Sequence, residues 1–225
     1  MRDENLISDK EYSNRLFNHL VKTTIQTWSN KKLKTFEIDD ENLEVIKLLV
    51  LYFSKNSEFE KVEPNKDLFT GELSLNKGIY LCGNVGSGKT LILDLINKCI
   101  PLEDKFNIVP CENVTYETRM QGIQGLAKYT KYNKDGTDLP LDILFDDLGI
   151  DCKTKFYGDE INPMYDILMR RYRAFCYNGS RTHFTSNLSF NDLEQNYDTR
   201  FQSRIKEMCN IIKLGGKSTS KDRRK

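Results

Sequence analysis

The sequence predicts an α/β fold, a parallel sheet covered by helices on both faces. Three observations point there. From Gly78 onward, short apolar runs alternate with segments of helical period. The first run, "GIYLC", passes into a glycine-rich loop and then into a helical run, "TLILDLINKCI". Ahead of it lie two amphipathic stretches and a polar, turn-rich stretch, which read as a helical segment joined to the sheet by a linker.

Taken in order, Leu16, Phe17, Leu20, Val21, Thr24, Ile25 and Trp28 fall on one face of a helix over residues 10–28. A second helix starts at an N-cap, Asp39 or Asp40, and continues through Phe53. "SKNSEFEKVEPNKDLFTGELSLNKG" is the linker. Five strands follow: "GIYLC", "FNIVPC", "LDILFDD", "RTHFTSN" and "CNIIKL". Between them come the helix after the glycines, helices over residues 115–131 and 159–176, and the short "DTRFQSRIKEM". Pro163 is tolerated in the first turn of its helix, where the missing N–H has no partner to lose. The expected organisation is an N-terminal helical segment and linker over residues 1–70, a five-stranded parallel core over 71–216, and a basic tail, "KSTSKDRRK", over 217–225.

At 225 residues the chain is long enough for one domain with a sizeable core and a small appendage. With 38% hydrophobic and 30% charged residues it reads as soluble and globular, and a net charge of +1 excludes a chain-wide attraction for nucleic acid or membrane. No stretch reaches the length of a membrane span, and "MRDENLISDKEY" contains no apolar run suited to a secretory leader, so a cytoplasmic location is expected. Cys82, Cys99, Cys111, Cys152, Cys176 and Cys209 show no C-x-x-C spacing, and only His19 and His183 could join them. They are expected to be reduced, small apolar residues rather than zinc ligands. His183, within a strand, is expected to pack rather than to catalyse.

The loop has a chemical reading. Gly83, Asn84, Val85, Gly86, Ser87, Gly88, Lys89 and Thr90 fit G-x-x-x-x-G-K-[ST] between a strand and a helix, the context a phosphate-binding loop needs. Glycine permits positive φ and lets backbone N–H groups approach phosphate oxygens with no Cβ in the way. The positive end of the next helix faces the same anion. Lys89 would reach the β- and γ-phosphates of ATP, and Thr90 would place its hydroxyl on Mg²⁺.

Hydrolysis needs more than a cradle. In "LDILFDDLG", Asp146 ends an apolar strand, where it could hold Mg²⁺. Asp147 follows and could orient and deprotonate the attacking water. Asp142, inside the same strand, has no assigned role.

"GNVGSGKT", "LFDDLG", "THFTSNLS" and "YDTRFQSRIKE" occur in that order. Together they resemble the bacterial helicase loaders of the DnaC/DnaI type and the related IstB transposition ATPases, within the AAA+ class. The resemblance spans about residues 75–216. It implies an ATPase without a separate lid domain, acting in DNA replication and contacting single-stranded DNA, with N-terminal helices that grip the replicative helicase. It places Asn187 at the polar sensor position, between Asp146 and the γ-phosphate. It places Arg204 as an arginine finger acting on a neighbouring subunit's nucleotide, so a homo-oligomer is expected on helicase or DNA; Arg200 is the second choice. Arg223 is a weak match for the second sensor, and the segment ahead of the core lacks the cysteine cluster of some loaders.

Two stretches fit contact with single-stranded DNA. "LAKYTKYNK" interleaves Lys128, Lys131 and Lys134 with Tyr129 and Tyr132, and "DCKTKFYG" places Lys153, Lys155, Phe156 and Tyr157 after the acidic pair. Lysines neutralise phosphates while rings stack on bases. Solvated loops with packed rings would read the same way. The rival functions are an IstB-like transposition helper, a small-molecule kinase and a binding-only switch.

Overall fold

The structure, a computed structural model, describes residues 8–31, 38–130, 142–149, 154–156 and 159–215. Helices α1 (Asp9–Lys31) and α2 (Asp40–Phe53) come first, followed by a short strand β1 (Phe69–Thr70). Strand β2 (Gly78–Gly83) leads into α3 (Lys89–Cys99), and β3 (Asn107–Pro110) into α4 (Cys111–Gln121) and α5 (Ala127–Thr130). Then come β4 (Ile143–Leu148), the hairpin strands β5 (Thr154–Phe156) and β6 (Asp159–Ile161), and α6 (Pro163–Asn178). Strand β7 (Thr182–Ser186), helices α7 (Asp192–Asn196) and α8 (Thr199–Met208), and β8 (Cys209–Leu214) complete the order.

The main sheet runs β1-β8-β2-β7-β4-β3. Its five longer strands are parallel, as expected, and β1 adds a sixth, pairing antiparallel with β8 at the edge. Residues 69–70, assigned to the linker from sequence, therefore belong to the sheet. So do the ties around it: Lys213 N donates to Leu68 O and Lys213 Nζ to Lys66 O.

Period-two alternation divides the core. On β2, Ile79 and Leu81 face one apolar cluster, and Tyr80 and Cys82 face the other. On β8, Ile212 and Leu214 face the first cluster, and Cys209 and Ile211 the second. Helices α1, α2 and α3 cover the first face through Leu16, Leu20, Val45, Ile46, Leu49, Ile92 and Ile96. Helices α4, α6 and α8 cover the second through Val114, Ile167, Leu168, Phe201 and Ile205. The N-terminal helices are thus part of one of the two layers. A buried polar link ties α1 to the end of α2: Asn56 Nδ2 donates to Ser13 Oγ at 2.8 Å, and Ser13 Oγ lies 2.8 Å from Ser54 Oγ.

Two boundaries differ from the sequence reading. Residues 159–161, read as the start of a helix, pair with β5, and α6 begins at Pro163 because Asn162 caps it by accepting from Tyr165 N–H at 3.1 Å. The helix expected over 115–131 starts at Cys111, and a 3-10 turn over Gly122–Leu126 interrupts it, where Gly122 has φ 62°. That positive φ is incompatible with a continuing α-helix.

The order of strands positions the site. Chain continuity would place β3 beside β2, but β7 and β4 lie between them. The carboxyl ends of β2, β7 and β4 therefore adjoin in three neighbouring strands, at the switch point where an open α/β sheet opens a crevice for ligands.

Candidate functional site

The loop after β2 forms from glycines that serve different purposes. Gly86 and Gly88 have φ of 79° and 95°, the left-handed region that disfavours a Cβ. Gly83 has no such φ. A Cβ there would lie 2.2 Å from the Leu214 carbonyl oxygen, so its glycine lets β8 pack against the strand end. Positive φ, one of the reasons expected for the loop glycines, therefore holds for Gly86 and Gly88, while Gly83 answers to the sheet.

Helix α3 starts at Lys89, with Gly88 at its N-cap offering no side chain to the first turn and with no acidic residue in that turn. The positive end of the helix is left for an anion. Ser87 is buried at 2% exposure and its hydroxyl has no hydrogen-bond partner among the described residues. An orphaned buried hydroxyl costs roughly 1–3 kcal/mol, which an anionic oxygen in the loop would recover. Asn84 and Val85 are exposed at the tip.

Lys89 is only 5% exposed. Its Nζ donates to the carbonyls of Gly83 at 2.9 Å and Asn84 at 3.0 Å, and to Asn187 Oδ1 at 2.7 Å. The lysine is thus drawn back over its own loop, with Asn187, at the end of β7, against it. Strand β2 is also tied to the segment after β7 by Tyr80, whose hydroxyl donates to Leu188 O at 3.0 Å. Tyr80 and Leu188 carried no functional signal in sequence, because a Tyr in an apolar strand reads as core.

The acidic pair sits at the end of β4. Thr90 Oγ1 donates to Asp146 Oδ1 at 2.7 Å, joining the first turn of α3 to the strand. Thr185 of β7 donates to the same oxygen at 2.5 Å and accepts the Asp147 N–H at 2.8 Å. The pairing of β4 with β7 shifts between Phe145 and Leu148, a bulge, and Asp147 has φ 57°. In an unbroken strand, consecutive side chains would point to opposite faces. The bulge turns the chain at Asp147 and so changes the directions of this pair. The sequence reading missed Thr185, and the signal for it was only its place opposite the acidic pair in the ladder.

The site residues expected from sequence therefore separate. Lys89 meets Asn187, and Thr90, Asp146 and Asp147 are joined through Thr185, the two sets being adjacent along the chain at Lys89 and Thr90. Arg204 is placed elsewhere: its guanidinium lies 4.7 Å from the centroid of the Tyr172 ring on α6, and Nη1 donates to Arg200 O at 3.3 Å. Arg200 is exposed on the same helix. Arg223 lies outside the described residues.

Other expectations resolve individually. His183 is 1% exposed, accepts the Ile79 N–H on Nδ1 at 3.1 Å, and is walled by Tyr52, Phe53 and Phe106. Burial lowers its pKa to about 4, so it is neutral at neutral pH. Asp142 pairs with Arg181 at 2.7 Å. Tyr129 cannot stack on bases as expected: it is 5% exposed, its ring packs on Phe145, and its hydroxyl donates to Glu117 at 2.7 Å. Lys128 is occupied with the same Glu117 at 2.6 Å. Lys131, Tyr132, Lys134, Lys153 and Tyr157 lie outside the described residues, as does Cys152.

The donor set suits a nucleoside triphosphate with Mg²⁺. A hydroxyl and a carboxylate supply hard oxygens for a small divalent cation. The buried ammonium, the helix N-terminus and the orphaned Ser87 hydroxyl supply donors for phosphate. Among the described residues, no group of three or more His, Cys, Asp or Glu is arranged to hold a metal, and no helix is long and apolar enough to cross a membrane.

A candidate primosome component from Streptococcus pyogenes serotype M3 shares the fold, with a TM-score of 0.50, 16% identity, and coverage of 80% of this chain and 83% of that one. What the two share is the fold, a mostly parallel α/β sheet with a phosphate-binding-loop motif following β2 in this chain. Two further solved structures resemble it: DnaI, at TM-score 0.49 and 20% identity over 80% of this chain and 85% of that one, and domain III of the Thermotoga maritima replication initiation protein DnaA, at 0.48 and 17% over 80% and 64%. No protein-family model matches the sequence, and no curated protein is a significant match to it.

Proposed function

We propose that this chain binds and hydrolyses ATP and acts in DNA replication as a loader of a replicative helicase. The observation that carries the ATPase reading is the 2.7 Å contact between Thr90 of the loop helix and Asp146 of the neighbouring acidic strand. It joins a phosphate cradle to a carboxylate that can share its cation.

Each residue has a distinct task in this reading. Backbone amides from Gly83 to Thr90 hold the phosphates, and Lys89 neutralises the β- and γ-phosphates. Thr90 and Asp146 hold Mg²⁺, which when bound offsets negative charge on the phosphates. Asp147 takes a proton from the attacking water, and Asn187 orients that water. Arg204 completes the site of a neighbouring copy, where a permanently charged fork suits phosphate oxygens.

The replication setting is supported by the order of the four motifs and by the fold shared with a candidate primosome component. Contact with single-stranded DNA is assigned to the core and the grip on the helicase to the N-terminal helices. With Leu16 and Leu20 buried against the core, that grip falls on other parts of α1 and α2.

ATP turnover of the purified protein, alone and with single-stranded DNA and the cognate replicative helicase, tests the proposal. The expected result is slow turnover that rises with these partners and is lost in Asp147→Asn. Turnover unchanged in that variant removes the assigned base. Capture of an integrase-like transposase in place of the helicase transfers the chain to the IstB-like reading.

A further inference from the structure

Strand β7 is buried along its length, yet it is mostly polar: Thr182, His183, Thr185 and Ser186 are all at 0–1% exposure. Such residues persist in a core only when hydrogen-bonded. Thr182 accepts from Arg171 Nε at 2.6 Å and His183 from Ile79 N–H, both toward the far end of the strand from Asn187. Thr185 and Ser186 are different, because both turn to the bulged end of β4.

The bulge creates the need. Phe145 pairs with Phe184 and Leu148 with Ser186, so Asp146 and Asp147 together face one residue, Thr185. A bulge of this kind disrupts the regular backbone ladder. Side-chain hydroxyls bridge the gap. Ser186 Oγ donates to Leu148 O at 2.7 Å and accepts the Leu188 N–H at 3.0 Å, closing the bulge and starting the loop that carries Asn187. Thr185 Oγ1 accepts the Asp147 N–H and gives its own proton to Asp146 Oδ1.

We infer that Thr185 is the positioning residue of the acidic pair, setting both the orientation of the Asp146 carboxylate and the left-handed backbone of Asp147 through one hydroxyl. The inference rests on the ATPase reading above and extends it. Three features fit. The hydroxyl is fully buried and uses its donor on one aspartate and its acceptor on the next. A β-branched side chain has few rotamers, so the hydroxyl is held in place. Thr90 donates to the same Asp146 oxygen, so two hydroxyls, from the helix after the loop and from the neighbouring strand, fix the rotation of that carboxylate. Asp147 at φ 57° is in a conformation that costs an L-residue roughly 1–2 kcal/mol, and the bond to Thr185 helps to maintain it.

Thr185→Val keeps the shape and removes both bonds. The expected result is a kcat for ATP lowered about 10- to 100-fold, the range found when groups orienting a metal ligand are removed. The Mg²⁺ concentration for half-maximal turnover should rise by a similar factor. Binding of a fluorescent ATP analogue without Mg²⁺ should stay within about threefold of the parent, because the cradle itself is untouched. Thr185→Ser, which retains donor and acceptor, restores most of the kcat and the Mg²⁺ response. A merely structural threonine would lower the melting temperature and leave kcat per folded molecule and the Mg²⁺ response unchanged, and that pattern overturns the inference. Should the valine variant not fold, Thr185→Cys carries the same test, since a thiol is a weaker donor and acceptor: a kcat equal to the parent's sinks the proposal. A parent protein with no ATP turnover under any condition sinks the ATPase reading instead, a distinct outcome.

Discussion

Lys89 Nζ donates to Asn187 Oδ1 at 2.7 Å, so the loop after β2 and the end of β7 meet through one ammonium and one amide. Because Lys89 is buried, its ammonium interacts strongly with the group beside it. Asn187→Asp would set a carboxylate against that charge. The resulting pair would compete with phosphate for the ammonium, and a charge-assisted bond of roughly 1.5–3 kcal/mol corresponds to tenfold or more in affinity. Nucleotide binding, read by titration of a fluorescent ATP analogue, should weaken at least about tenfold. Asn187→Ala removes the amide without adding charge, so binding should persist while turnover falls. Equal binding by the Asp and Ala variants would dissociate Asn187 from the lysine.

The glycines of the loop give a prediction of a different kind. In Gly83→Ala the new Cβ would meet the Leu214 carbonyl oxygen at 2.2 Å, and a backbone atom in a sheet cannot swing aside. Overpacking of this sort costs roughly 1–3 kcal/mol. For a chain of this size that lowers the melting temperature by about 2–4 °C per kcal/mol. Gly88→Ala instead forces φ 95° on a residue with a Cβ at the start of α3. Its main effect should be on nucleotide affinity, with a smaller thermal shift. Calorimetry and titration of both variants separate a sheet glycine from a loop glycine.

These two glycines show what the sequence made legible. The loop motif marked the place of the turn between β2 and α3, since spacing alone identifies a strand, a tight turn and a helix start. It did not distinguish φ from close packing, because a glycine required by Leu214 on β8 looks the same as one required by its own dihedrals. The parallel strands were readable from apolar runs in β2, β4 and β8. Strand β7 was harder, as its burial is sustained by hydroxyls and an imidazole whose partners lie on β2, β4 and α6. The β4 bulge was unreadable, and with it the role of Thr185. A register shift depends on which strand lies alongside, and nothing local to "LFDDLG" specifies β7.

His183 predicts a pH dependence of stability. Burial is the main cause lowering its pKa from the ordinary 6.5 to about 4; nearby Asp142 opposes the shift, while Arg181 and Arg171 add to it. The unfolded chain takes up a proton as pH falls below its ordinary value, and the folded protein does not until near pH 4. The stabilisation is therefore complete above about pH 6.5 and is lost as pH falls toward about 4, at up to about 1.4 kcal/mol per pH unit. Urea unfolding at pH 7, 6 and 5 is about the right series to read that slope. His183→Gln, which keeps an acceptor and removes the titration, should flatten it. An unchanged slope would assign the pH dependence to carboxylates.

Arg204 lies over the Tyr172 ring, and Tyr172 in turn donates its hydroxyl to Glu207 at 2.7 Å on the same helix as the arginine. Tyr172 is half-buried, and a cation over such a ring is worth about 0.5–1 kcal/mol. Arg204→Ala should therefore leave the fold intact. If its proposed task is to serve a neighbour's nucleotide, its loss and the loss of Lys89 fall on different copies. A Lys89→Ala subunit has an inert loop but a working arginine; an Arg204→Ala subunit has the reverse. Each should be inactive alone in assembly-stimulated turnover. In a mixed assembly, the loop of the Arg204→Ala copy can meet the arginine of the Lys89→Ala copy, restoring one competent junction. The mixture should then hydrolyse ATP faster than the sum of its parts, with a maximum near an equal ratio. A mixture that stays at that sum, with both variants shown to co-assemble, would leave Arg204 as a helix-packing residue against Tyr172.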